Sequence, residues 1–206
     1  MKLILENWRN FLTEGEEIFG YEIGPNDKVF LSPEKFLGMR NIDAYDQKIG
    51  RKPRGLWYGC GDEWLSFIRS EFGPEYEQSI KHIYKIDLNY ATLSRYRGDS
   101  VLRISTADEL RDFDGMYTVR PSKGGSTRRD ILGTKMEMID WHKVATEYSG
   151  IEICPYLGYQ PWSGDVNFRM GLDWYYTWDV ASGCIWNEKA IRNIELISSK
   201  ENNSED

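Results

Sequence analysis

Hydrophobic and polar positions along the chain change period several times. His82 to Leu88 (HIYKIDL) alternates apolar and polar residues and predicts a half-buried strand, and Val101 to Ile104 (VLRI) repeats the pattern. Lys28 to Leu31 and Gly55-Leu56-Trp57-Tyr58-Gly59 are short apolar runs closed by Ser32-Pro33 and by glycines, which predicts two more strands. Three stretches carry helical spacing. After Asp62, Trp64, Phe67, Ile68 and Phe72 fall on one face, and Gly73-Pro74 ends the helix. Thr106-Ala107-Asp108-Glu109 is a capping box ahead of Leu110 and Phe113. Asp140 caps a third helix with Trp141, Val144, Ala145 and Tyr148 inward, and Gly150 terminates it. Ile151 to Tyr156, part of Trp174–Trp186 and the segment from Ile194 to Ile197 complete the predicted elements. Short strands between modest helices predict an α+β domain with a mixed or antiparallel core.

Composition narrows the picture. The chain has 206 residues, suited to one domain with short tails, and 8 Trp, 13 Tyr and 8 Phe supply large cores and stacking surfaces. The net charge of −7 argues against a general nucleic-acid coat. Much of that charge sits at the ends: five glutamates stand against Lys2 and Arg9 in residues 1–24, and Ser198 to Asp206 is a polar, acidic tail expected to be disordered. No apolar run reaches the ~20 residues of a spanning helix, so no membrane is expected. Cys60, Cys154 and Cys184 form an odd set without short spacing, expected as reduced thiols with no metal role. His142 is expected to be exposed and His82 structural. The basic loop from Arg120 to Asp130 offers Arg120, Lys123, Arg128 and Arg129 to an anion.

The order of these segments resembles the ADP-ribosyltransferase fold, in which NAD+ lies in a cleft between two small mixed or antiparallel sheets lined by three motifs. Gly55-Leu56-Trp57-Tyr58-Gly59 before a helix matches the second motif. Lys28 to Ser32 takes the place of the first without an Arg or His in the strand. Ser182 to Ile191 takes the place of the third, with Trp186 at its aromatic position and Ser182 where the family has its glutamate. The resemblance implies that residues 28–197 form one such domain after a linker at 15–27, with three or so short helices. It implies NAD as cofactor, bound by Ser32, Trp57, Tyr58, Gly59, Arg120 and Trp186. It also implies Asp179 and Ser182 as catalytic residues: Asp179 stabilises the oxocarbenium-like centre, while Ser182 can hold the ribose but cannot neutralise charge. The resemblance further implies a host macromolecule, protein or nucleic acid, as the acceptor. A member of the same fold that binds without turnover is the alternative, as is an unrelated virion-associated α+β protein.

The N-terminus also carries a resemblance. Ile4, Trp8, Phe11 and Leu12 share one helical face, and Leu12-Thr13-Glu14 follows. Residues 1–14 resemble the capsid-targeting peptides of T-even-type phages. This implies cleavage after Glu14 by a prohead protease, packaging in the virion interior and delivery to the bacterial host cytoplasm. Read without it, the segment is an ordinary first helix of a cytoplasmic protein.

Overall fold

A computed structural model describes residues 16–18, 21–95, 98–119, 137–157, 172 and 174–200. The targeting segment 1–14, Arg120 and its basic loop, and the end of the acidic tail lie outside these residues. The fold is α+β. Its centre is an eight-stranded mixed sheet built from β3 (Lys28–Ser32), β5 (Leu56–Cys60), β6 (His82–Leu88), β7 (Tyr90–Ala91), β8 (Val101–Ile104), β11 (Gly150–Ile153), β12 (Ser182–Ile185) and β13 (Ile191–Ser199), in the order β13-β6-β3-β5-β12-β11-β8-β7. A two-stranded hairpin, β1 (Glu16–Ile18) and β2 (Tyr21–Ile23), occupies much of the segment read as a linker. A three-stranded sheet joins β4 (Ile49–Gly50), β9 (Thr118–Val119) and β10 (Met138–Asp140).

The large sheet curls until its ends meet. β6 lies second from one end and β7 at the other, yet only Asn89 separates them in the chain, and the Asn89 carbonyl accepts from the Val101 N–H at 2.8 Å. The inner face holds Tyr58, Ile86, Leu88, Val101, Ile185 and Ala190. Helices cover the outer face. Among the described residues there are α1 (Glu63–Glu71), α2 (Pro74–Ser79), α3 (Ala107–Tyr117) and α4 (Trp141–Glu147). The tight Gly73-Pro74 corner starts α2 rather than a loop.

α3 and α4 have the predicted caps. Thr106 and Glu109 make a reciprocal capping box, and the Asp140 side chain accepts from the Lys143 N–H. Their inward residues Leu110, Phe113, Trp141 and Val144 are fully buried with Trp174 and Trp178 against Leu102, Ile104, Ile151 and Ile153. α1 is rotated from the predicted face: Leu65 and Ile68 are buried, while Phe72 is exposed and stacks on Tyr76. β13 runs to Ser199, two residues into the expected tail, because Ser198 and Ser199 pair with Ile83 and His82.

The expectation of three reduced thiols holds only for Cys184, which is buried; Cys60 and Cys154 form a disulfide. They lie 94 residues apart, but Cys60 ends β5 and Cys154 directly follows β11, the two strands that flank β12, a juxtaposition no sequence spacing announces. His142 is half-buried rather than exposed, with Nδ1 2.9 Å from the Ala44 carbonyl and its ring against Tyr45. His82 has a structural partner, the Ser199 hydroxyl at 2.9 Å. No helix among the described residues is long and apolar enough to cross a membrane.

Candidate functional site

Two openings in the curled sheet concentrate the chemistry. The first is a split. β3 and β5 are neighbours, but they pair only at Lys28 with Cys60 and Val29 with Gly59. Beyond that point β3 continues along β6 through Ser32, while β5 continues along β12 through Leu56. The facing edges of Phe30–Ser32 and Leu56–Tyr58 therefore make no ladder to each other. A cavity of about 350 Å³ fills the gap, within the ~300–1,000 Å³ range typical of small-molecule sites. Phe30, Leu31, Gly55, Trp57, Trp64 and Tyr76 line it, together with further residues that are apolar apart from Ser79, and no carboxylate among the described residues does.

Trp57 forms one wall. Its ring meets Trp178 edge-on at 5.0 Å, and Lys52 Nζ sits 5.3 Å above it. Lys52 in turn lies 3.5 Å from Asp179, which is surface-exposed. Gly59 makes the wall close-packed, because a Cβ there would lie 2.7 Å from the Trp64 Cβ of α1.

The second opening is the mouth of the curl. Its floor is Glu152 on β11, a fully buried carboxylate. Tyr58 and Tyr90 donate their hydroxyls to Oε2 at 2.9 and 2.7 Å. Lys28 Nζ and Arg103 Nε approach Oε1 at 3.3 and 3.5 Å, and Oε1 receives no hydrogen bond. Burial, reinforced by the Glu152 charge, pushes both tyrosine hydroxyls well above the usual range, so they remain protonated donors. Gly183, opposite both Glu152 and Tyr58, leaves room for this contact, since a Cβ there would come 2.3 Å from the Tyr58 ring.

Outside the floor lies a cavity of about 500 Å³ lined by Lys28, Lys85, Arg103 and Arg192, with Asn26, Asp27, Asp87 and Tyr90. Asp27 is paired with Lys85 at 2.7 Å. Burial works against its ionisation, but that pairing, the Gly24 N–H and the Tyr21 hydroxyl outweigh it and hold the carboxyl below its ordinary range. A Glu152 oxygen and the two sulfurs of Cys60 and Cys154 lie within 4.8 Å of one another. The sulfurs are joined to each other, and Lys28 and Arg103 already surround the carboxylate, so the arrangement does not suit a cation.

The expected site residues separate accordingly. Trp57 lines the split. Tyr58, one residue on, also lines it, and directs its hydroxyl inward to Glu152. Ser182 pairs with Gly59 in the ladder, is buried, and donates to the Val180 carbonyl at 3.0 Å. Ser32 turns the chain out of β3, its hydroxyl donating to the Glu34 carbonyl at 2.6 Å. Trp186 is a core residue whose indole N–H donates to the Tyr148 carbonyl at 2.7 Å.

Sequence reasoning missed Glu152, Lys28, Lys52, Arg103 and Glu63. Alternation along β11 between Ile151 and Ile153 was the available signal for a carboxylate on the opposite face from the helices. Glu63, at the start of α1, accepts from the Ala181 N–H beside Ser182; burial and the Asp62 charge push its carboxyl upward against that bond. Compared with known protein families, curated proteins and solved structures, the chain finds no match in any of the three.

Proposed function

We propose that the protein is an ADP-ribosyltransferase-like NAD+-binding protein whose split between β3 and β5 receives the nicotinamide end of the dinucleotide, and that it modifies a macromolecular acceptor. The carrying observation is adjacency. The three segments assigned to the NAD-lining motifs, Lys28–Ser32, Gly55–Gly59 and Ser182–Trp186, supply three consecutive strands of the sheet, and the first two part to leave a cavity between them.

Flat aromatic walls and unpaired strand edges suit a planar ring bearing a carboxamide: Trp57 and Tyr76 offer stacking faces, and the free backbone edges offer donors and acceptors. Cleavage of the nicotinamide–ribose C–N bond develops positive charge at the anomeric carbon, which a nearby carboxylate stabilises. Asp179 is the rim acid for this role, held beside Trp57 through Lys52. Buried Ser182 then acts in the frame of β12 and not on substrate. On this reading, the N-terminal segment and its cleavage at Glu14 would deliver the protein with a phage genome into the host cytoplasm.

The absence of a carboxylate from the cavity lining favours a second reading, a cleft that binds NAD+ without transfer. Labelled NAD+ incubated with the protein and a bacterial lysate separates the two. Label transfer that Asp179→Asn reduces at least tenfold supports transfer. Saturable NAD+ binding, weakened by Trp57→Ala but without transfer, supports the second. Unchanged thermal stability in excess NAD+ overturns both.

A further inference from the structure

The mouth of the curled sheet is chemically unlike the split and shares none of its lining residues. We propose that it is a second site, one that binds the terminal phosphate group of a small phosphate ester, with Lys28 and Arg103 as its primary ligands and Arg192 at its rim.

The argument starts from Glu152. A buried carboxylate is costly unless charges and donors surround it. Here two tyrosine hydroxyls satisfy one oxygen, and two cations from opposite sides of the curl approach the other. One negative charge faces two positive ones, so the floor retains a positive excess. Glu152 also leaves most of the cations' donors unused: an ammonium has three N–H groups and a guanidinium five, and one carboxylate oxygen occupies few of them.

The Lys28 side chain is 12% exposed and that of Arg103 46% exposed, and both line the cavity, so those donors have an open side. Arg103 is fixed further by stacking over the Tyr90 ring at 5.4 Å.

The acidic residues at the mouth do not cancel this. Asp27 is taken up by Lys85, and Asp87, opposite Asn193 in the ladder, is outnumbered by Lys28, Arg103 and Arg192, the last with its Nε anchored on the Asn89 side chain at 2.7 Å. A compact anion that accepts from several fixed donors at once fits such a floor, and phosphate is that anion. The cavity of about 500 Å³ is larger than phosphate alone requires, which leaves room for the organic part of an ester.

The test is calorimetric titration of the full chain at fixed ionic strength with inorganic phosphate, ribose 5-phosphate and ribose. Saturable one-to-one binding of ribose 5-phosphate is expected, with phosphate weaker and ribose silent. Phosphate binding as tightly as the ester would overturn the ester assignment, and ribose binding equally well would overturn the phosphate assignment.

Arg103→Gln should weaken the ester about tenfold, the scale of one charge-assisted contact. Arg192→Gln, on the exposed side of β13 and away from Glu152, should weaken it about threefold while the thermal midpoint stays put. Glu152→Gln keeps the shape of the floor, removes its negative charge and should tighten binding. A purely structural ion pair predicts no ester binding in any of these proteins, and that result, or an unchanged affinity in Arg192→Gln and Glu152→Gln, would overturn the proposal. If Arg103→Gln fails to fold, the other two variants decide.

Discussion

The split and the mouth open from the same sheet, on adjoining residues of β3, and they are made of opposite materials. The split exists because hydrogen bonds are not made: two strands that could pair along their length separate after two paired positions, and aromatic rings line the space. The mouth exists because charges are held: a buried acid collects two hydroxyls, an ammonium and a guanidinium from four different strands. An apolar cleft bounded by strand edges selects by shape and by backbone hydrogen bonding. A basic floor selects by charge. The two therefore respond to different perturbations, and that difference can be tested.

The largest effect is expected at the mouth. Glu152→Ala leaves Lys28 without its counter-ion and Tyr58 and Tyr90 without their shared acceptor, and should cost about 3–5 kcal/mol in urea unfolding. A loss below about 1 kcal/mol would mean that the floor is wetter than its burial indicates.

Reduction of the Cys60–Cys154 disulfide, or the double variant to Ala, should lower stability by about 2–4 kcal/mol by releasing a 94-residue loop in the unfolded chain. The NAD+ binding proposed for the split should, if present, persist, because the disulfide clamps the opposite end of β5.

Gly59→Ala attacks the split instead. It should push α1 off β5 and cost about 1–3 kcal/mol, with loss of NAD+ binding and no change in phosphate-ester binding. Equal damage to both sites would show that they are not separate.

The smallest effect concerns acid. The Asp27 carboxyl is depressed in the folded protein, so its pair with Lys85 stabilises above the ordinary carboxylate value of 3.8, and that contribution is lost as pH falls through the lower folded value. Asp27→Asn should cost under about 1 kcal/mol at neutral pH and remove this part of the acid-induced loss, read as a flatter stability profile in the acid range.

Most of the frame was legible because it is local. Period-two alternation marked β6 and β8, and caps at Thr106 and Asp140 marked α3 and α4. Helical spacing found α1 but put Phe72 inward. The observed turn exposes that ring beside Tyr76, a choice made by the packing of α2 that follows. The α+β class was legible, but the expected pair of small sheets around a cleft is not what forms: eight strands make one curled sheet that parts at a single seam. That seam depends on where pairing stops, which no residue type encodes.

The polar floor was illegible for a related reason. Glu152, Tyr58, Tyr90, Lys28 and Arg103 are scattered over five segments, and each by itself resembles an ordinary strand residue. The motif reading selected Ser182 and Trp186 by alignment to a pattern; their side chains are occupied by the Val180 and Tyr148 carbonyls. Trp57 and Tyr58 line the split, and Asp179 lies at the surface behind Lys52.

Lys28 and Phe30 are two positions apart on one short rod of backbone, the first reaching into the charged floor and the second walling the aromatic seam. Such a rod has almost no slack. A change that displaces the whole rod is therefore registered in both chambers, whereas one confined to β5 is registered in the seam alone.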